Sequence, residues 1–213
     1  MRGHTRHVNN DMAEQPILSL KDRLVKIVDL SYEILCNKIS NGSIVPPNEA
    51  SLQMQFGVIL KQVGQMFEFG KNEHFYIDFE IPKKVENSPK SGSNSARCDI
   101  LLALSNENDK KEAIIEIKQF LKDKDEAVTD NRFSVILDLK NLELYKAQDN
   151  DLLCCEIVYT DNLNYTLSGR SKIELSGTIS GEMTYCGTKV ILSNSYNANW
   201  DCYNNHCFLK INF

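Results

Sequence analysis

Three charged residues near the middle of the chain have the types and spacing that hydrolysis of a phosphate ester would need. Asp99 lies in one apolar segment, and Glu116 and Lys118 lie two residues apart in the next. Carboxylates bind hard cations such as Mg²⁺, which commonly takes one or two of them together with water and phosphate oxygens. A lysine beside the cation could align or deprotonate the attacking water and offset charge that develops on phosphate. The pattern therefore indicates magnesium-dependent phosphodiester chemistry.

A β-hairpin would bring these side chains together. Residues 97–104 and 112–118 are predicted strands, and the Ser-Asn-Glu-Asn-Asp-Lys segment at 105–110 is a predicted turn. Asp99 and Glu116 are equidistant from its middle, so an antiparallel hairpin would place them opposite each other, with Cβ atoms roughly 4.5–5.5 Å apart. Lys118 would share their face. Opposed like charges destabilise a sheet, and a bound cation would relieve that repulsion.

Hydrophobic spacing predicts the elements around this hairpin. Two helices come first, the second with Asn48 as its N-cap, and a half-buried strand follows them. Beyond Thr160 the chain is rich in Asn, Ser, Gly and Thr, which is typical of turns and short strands. The predicted helices are residues 17–39, 48–67 and 132–147, and the further strands are 75–81, 153–159, 189–192 and 208–213, with a polar loop at 82–96.

The motif resembles that of a known superfamily. Arg97-Cys98-Asp99-Ile100, followed by Glu116-Ile117-Lys118, is similar to the PD-(D/E)XK nucleases, with Cys98 where the family name has Pro. The order of helix, three strands, helix and strand also matches that superfamily, over roughly residues 48–161. The resemblance implies an α/β fold with a restriction-endonuclease-like core, a mixed central sheet flanked by helices, and here a β-rich C-terminal extension.

The resemblance also implies roles for individual residues. Asp99 and Glu116 would hold Mg²⁺, for which Mn²⁺ could substitute, the carbonyl of Ile117 would be a further ligand, and Lys118 would be catalytic. Many members carry a glutamate on the helix before the strands, and Glu49 would take that place as a further catalytic residue and metal ligand, because it shares a face with apolar residues of its helix. The alternative for Glu49 is that a carboxylate in a first helical turn is simply favoured by the helix dipole.

The implied activity is an endonuclease acting on DNA, in restriction, another defence activity or repair, with RNA as an open alternative. A net charge of −5 excludes a uniformly basic nucleic-acid binder but leaves room for a local basic cluster. Gln119 is a further candidate contact to nucleic acid. The candidate phosphate-binding cluster beside Asp99 consists of Lys83, Lys84, Lys90 and Arg97.

Length and composition favour a single domain at residues 17–213. The resemblance implies that this domain is nuclease-like, with its core at about 48–161 and the extension at 162–213. Residues 1–16 read as a disordered arm without the pattern of a secretory signal. The sequence contains no apolar run near the ~20 residues that span a bilayer. We therefore expect a cytoplasmic protein whose seven cysteines are free thiols. A homodimer is expected because cutting both strands of a duplex commonly uses two sites.

Three alternatives stay open at this point. Glu116 and Lys118 could form a salt bridge on a solvated face, with Ile115 and Ile117 forming the core face. Cysteines near His206 could bind zinc, although the paired spacing of zinc ligands is missing. The fold could also serve a catalytically inactive binding module. The cysteines considered for zinc are Cys154, Cys155, Cys186, Cys202 and Cys207.

Overall fold

The computed structural model describes residues 18–85, 88–89, 95–122, 128–169 and 172–213. The predicted arm at 1–16 and Lys90 lie outside these ranges. The helices are α1 (Leu20–Ser40), α2 (Glu49–Met66) and α3 (Val128–Gln148), and a 3-10 turn lies at Leu163–Tyr165. The strands are β1 (His74–Lys84), β2 (Ser95–Ser105), β3 (Lys110–Phe120), β4 (Leu153–Thr160), β5 (Gly177–Tyr185), β6 (Thr188–Ala198), β7 (Trp200–Tyr203) and β8 (His206–Asn212).

The first two helices begin at side-chain caps. Ser19 accepts a hydrogen bond from the Asp22 amide at the start of α1, and Asn48 accepts one from the Ser51 amide at the start of α2. Each cap satisfies an amide that has no partner inside its helix. The prediction that Asn48 caps the second helix is therefore confirmed. Since Asn48 fixes where α2 starts, it also fixes the place of Glu49, the first residue of that helix.

Six strands form one mixed sheet in the order β1-β2-β3-β4-β8-β7. The β3–β4 pair is parallel, with α3 as its crossover, and the other neighbours are antiparallel. The α/β class with a mixed central sheet is confirmed. β1 continues through residues 82–84, which the sequence analysis placed in a loop. Pro82 can be accommodated because β1 lies at an edge of the sheet.

Both faces of the sheet are covered. α1 and α2 pack on the face that carries Ile100, Leu102, Ile115 and Ile117. α3 and the separate β5–β6 hairpin pack on the other face, where Val158 and Leu209 are among the contacts. Consequently, residues 113–117 of β3 are all buried, although their side chains alternate between the two faces of the sheet.

Two glycines let α2 lie close to the sheet edge. A Cβ on Gly64 would overlap the ring of Phe75, which is buried, and a Cβ on Gly57 would overlap the ring of Phe79, which is half exposed. Glycine normally weakens a helix interior by about 1 kcal/mol relative to alanine. Here its lack of a side chain permits the close packing of α2 on β1.

The C-terminal region departs from the sequence-based expectation. β5 and β7 were not predicted, β6 is longer than the predicted segment 189–192, and β7 and β8 extend the central sheet. The expectation that every cysteine is a free thiol is wrong for Cys202 and Cys207, which form a disulfide. The reason is geometric, because the β7–β8 register places these two residues directly opposite each other with 4.1 Å between their Cα atoms.

A buried arginine fixes the segment between β4 and β5. Arg132 on α3 has no exposed surface, and its guanidinium donates to four backbone carbonyls and pairs with Glu174 at 3.2 Å. These contacts hold a stretch of irregular backbone against α3, where regular hydrogen bonding could not satisfy it. The carbonyl acceptors belong to Asn164, Tyr165, Leu167 and Ile173.

Candidate active site

The predicted hairpin is present with the predicted register. β2 and β3 pair antiparallel from Ser105↔Lys110 to Ile100↔Ile115. Asp99 and Glu116 come next in that register, so they lie just beyond the last paired residues. The hairpin expected from the turn and the strand pattern is confirmed, and its regular pairing ends at the two carboxylates.

The backbone of β2 turns over at Asp99. Cys98 packs in the cluster that includes Leu142 and Tyr145 of α3, whereas Ile100 packs with α1 and α2 on the opposite face. In a regular strand these two residues would share a face. The neighbouring strand is also irregular here, because Glu80 of β1, which faces Asp99 in the register, has a φ of +53°. Asp99 therefore occupies a break in the pleat.

Hydrogen bonds fix Asp99 at this break. Its Oδ2 accepts from the Ile117 amide at 2.7 Å, and its carbonyl accepts from the side chain of Gln53 on α2 at 2.6 Å. The first contact ties the carboxyl group to the segment that carries Glu116 and Lys118. Hydrogen bonds from β3 and from α2 thus hold Asp99 beside the Glu-x-Lys motif.

Glu116 lies inside the protein. Its side chain has no exposed surface, and in the parallel register it pairs with Glu156 of β4, which is equally buried. These positions contradict the alternative of a salt bridge on a solvated face. Ile115 and Ile117 do form a core face, but the opposite face is also covered, by α3. Burial of a carboxylate carries a desolvation cost that its interactions inside the protein must offset.

Lys118 extends among carboxylates from two helices. Its Nζ lies 3.3 Å from Glu49 Oε1 and 3.2 Å from Asp138 Oδ2, and it donates to the Ile117 carbonyl at 3.2 Å. Its side chain is only 13% exposed. Burial lowers the pKa of Lys118, but nearby carboxylates, with Glu49 and Asp99 foremost, raise it above its ordinary value overall. Lys118 is therefore a protonated lysine whose ammonium group is held in place by these carboxylates.

Glu49 reaches the site from the start of α2. One carboxylate oxygen contacts Lys118, and the other accepts from the Gln119 amide at 3.3 Å. The expectation that Glu49 points inward agrees with these contacts, although its side chain keeps 43% of its exposure. The structure brings together Asp99, Glu116, Lys118 and Glu49, the residues that the resemblance implied.

The residues expected to contact nucleic acid differ in how exposed they are and in whether they already have a partner in the protein. Gln119 is buried, and its side-chain amide donates to the Pro46 carbonyl at 2.7 Å. Lys83 lies 3.5 Å from Glu112, so an acid already faces it. Lys84 and Arg97 are exposed. Among the members of the expected cluster that the structure describes, these last two are thus the most available to a phosphate.

Two acids near Lys118 were missed by the sequence analysis. Asp138 has no exposed surface and lies on the stripe of α3 that carries Val135 and Leu142. Glu156 interrupts the apolar strand β4. In both cases the available signal was a single acid at an otherwise apolar position of a buried element, which is an unusual location for a carboxylate.

The donor set suits magnesium in kind. Asp99, Glu116 and the Ile117 carbonyl offer only oxygen atoms, the ligands that Mg²⁺ prefers. Across the described ranges, no group of three or more His, Cys, Asp or Glu side chains is arranged to hold a metal ion. Two carboxylates and one carbonyl would leave the remaining positions to water and phosphate, which is how Mg²⁺ commonly binds.

The zinc alternative has little support in this geometry. The disulfide links two of its proposed ligands, Cys202 and Cys207, and the Nδ1 atom of His206 lies 2.9 Å from the Tyr159 hydroxyl. Cys154 and Cys155 are buried in β4, as expected for thiols that act as small apolar side chains.

Comparison of the chain with protein-family models, with curated proteins and with solved structures returned no match. Within the described part of the chain, none of the helices combines the length and apolar character that crossing a bilayer would require.

Proposed function

We propose that this chain is a metal-dependent nuclease of the PD-(D/E)XK type that hydrolyses phosphodiester bonds, with DNA as its substrate. One observation carries the proposal: the Lys118 ammonium is held among carboxylates, two residues after the buried Glu116 and beside Asp99. Such a charge cluster is expensive to bury and gives no packing advantage over apolar residues. The combination of this charge cluster with the α-β-β-β-α-β order of residues 49–160 supports the proposed membership of the superfamily.

In this proposal, Asp99, Glu116 and the Ile117 carbonyl would hold Mg²⁺. The bound cation would supply Lewis-acid stabilisation of a phosphate oxygen and a more acidic water. Lys118 would act as a fixed positive charge that stabilises the negative charge developing on the phosphate. The carboxylates around Lys118 favour this charge role over a role as proton acceptor, because they stabilise its protonated form.

The duplex would be held by exposed basic residues next to the site. Lys84 and Arg97 are exposed, and Lys90 is the further expected contact. Replacing Lys84 and Arg97 with Ala should weaken binding to all sequences alike and reduce the salt slope of binding by roughly 2 units. An unchanged slope, measured by fluorescence anisotropy across salt concentrations, would show that these side chains do not contact phosphate.

A second candidate is a non-catalytic nucleic-acid-binding module with the same fold. The observation that favours it is the complete burial of Glu116, which limits access of a cation and a phosphate to this carboxylate. The two candidates agree on DNA binding and differ on turnover, so a cleavage assay separates them.

The test is cleavage of supercoiled plasmid with Mg²⁺, with Mn²⁺ and with EDTA, and with RNA as competitor. Lys118→Met and Glu116→Gln should each lose about 10²-fold or more in rate, as for other groups that stabilise transition-state charge. Glu182→Gln is the control, since it removes an exposed acid from the separate β5–β6 hairpin. Cleavage that survives EDTA, or equal rates for parent and Lys118→Met, would refute the proposal. Sedimentation with and without DNA would test the expected homodimer.

A further inference from the structure

Lys118 has a partner on α3 that the proposed roles do not use. Asp138 Oδ2 lies 3.2 Å from Lys118 Nζ, and the side chain of Asp138 has no exposed surface. We propose that Asp138 is a positioning residue that holds the Lys118 ammonium in place for catalysis. This inference rests on the proposed function, because it assigns Asp138 a role only through Lys118.

Packing alone gives no reason for an acid at this position. Asp138 lies on the α3 stripe that includes Val135 and Leu142, where an apolar side chain would fill similar space. Replacement of a buried ion pair by well-packed apolar residues is often neutral or stabilising. We therefore infer that Asp138 orients Lys118, as residues that contact a functional side chain commonly do.

The two carboxylates that contact Lys118 differ in their surroundings. Glu49 keeps 43% of its side-chain exposure, so solvent and salt weaken its hold on the ammonium. Asp138 is enclosed in the middle of a helix, where its own position is fixed and its charge is poorly screened. Because a lysine side chain is long and flexible, the fixed partner sets where its charge lies.

The contact also has a consequence for cation binding. The Lys118 ammonium already lies 3.2 Å from the Ile117 carbonyl, which is one of the oxygens proposed for the metal. Without Asp138, the ammonium would no longer be held at α3 and would move among Glu49, the Ile117 carbonyl and solvent. It would then compete with the cation for the same oxygens. Asp138 keeps the two positive charges apart by attracting one of them to the α3 side.

The first test does not depend on activity. Reductive methylation followed by mass spectrometry measures how accessible Lys118 is in the metal-free protein. In the parent protein Lys118 should react slowly, and in Asp138→Leu its rate should rise severalfold while other lysines keep theirs. Asp138→Asn, which keeps the shape but loses the charge, should give an intermediate rate and remains informative if the leucine variant does not fold. Asp130→Asn, on an exposed part of the same helix, is the control.

The second test is a double-mutant cycle on cleavage. Asp138→Leu should lower kcat by about 10²-fold with little change in KM, the size expected for a misplaced catalytic group. In a Lys118→Met background the same change should have no further effect, because Asp138 acts through Lys118. A further loss in that background, or unchanged methylation of Lys118 in Asp138→Leu, would overturn the inference. If the parent protein does not cleave, the proposed function fails, while the methylation result still decides whether Asp138 holds Lys118.

Discussion

Replacing Arg132 with Met should destabilise the fold by about 3–5 kcal/mol, the cost expected when one partner of a buried charged network is removed. The structure gives the basis for this magnitude. The Arg132 bonds to the Tyr165 and Ile173 carbonyls are buried, so water cannot easily replace the lost donor there. Each such orphaned carbonyl costs about 1–3 kcal/mol. The bonds to Asn164 and Leu167 are partly exposed and should contribute less.

Chemical denaturation followed by circular dichroism measures this change directly. Arg132→Lys should recover only part of the loss, because an ammonium has three donors and cannot reproduce the fork of the guanidinium. Arg97→Met is the matched control and should change stability by no more than about 0.5 kcal/mol, since Arg97 is exposed. A loss below about 1 kcal/mol for Arg132→Met would refute the reasoning that its buried bonds stabilise the fold.

Three further predictions concern other parts of the molecule. The Arg23 guanidinium holds the pKa of Glu73 at about 2, against an ordinary 4.5, so the stability it provides is present above pH 4.5 and is lost toward pH 2; acid titration of unfolding should show a smaller loss in Glu73→Gln. Gly64→Ala should cost about 1–3 kcal/mol in thermal melts through overpacking, whereas Gly57→Ala should be near neutral because the ring it meets can move into solvent. Lys118→Met should retain Mn²⁺ binding by calorimetry while losing cleavage; loss of binding would assign Lys118 to the metal site itself.

Sequence patterns located the elements that carry strong local signals. Asn48 is a good cap followed by a helical stripe, so α2 was predicted together with its N-cap. Residues 105–110 favour a turn, so the β2–β3 hairpin was predicted with the right register. The break in β2 at Asp99 could not be predicted, because it depends on α3 packing on one side and α1 with α2 on the other.

The C-terminal strands were harder to recognise for a compositional reason. β5 and β6 alternate apolar residues such as Ile179, Val190 and Leu192 with Ser, Thr, Asn and Gly, which are equally typical of turns. Their apolar side faces α3 and β8, so they are stabilised by contacts that are distant in sequence. The disulfide of Cys202 and Cys207 was missed because it depends on the β7–β8 pairing.

The positions of Asp138 and Glu156 beside the candidate site depend on the same kind of distant contact. Each is a single acid in a buried element, and nothing local relates it to Lys118 or Glu116. Their proximity arises from the parallel pairing of β3 with β4 and from the crossover through α3. A search for isolated acids on apolar stripes would have identified both residues without assigning them to one site.

Because of the break in β2, the position of Asp99 depends on the packing of both hydrophobic layers, one on each face of the sheet. Its neighbours Cys98 and Ile100 are buried on opposite faces of the sheet, so the packing on both faces fixes the position of the Asp99 carboxyl group. A small shift in either layer would rotate it, and catalytic geometry tolerates a misplacement of only about 1 Å before rates fall by about 10²-fold. If Asp99 holds the metal as proposed, cleavage would therefore decline before stability does when core residues of either layer are changed. Compensating changes could then arise on opposite sides of the sheet without any direct contact between them.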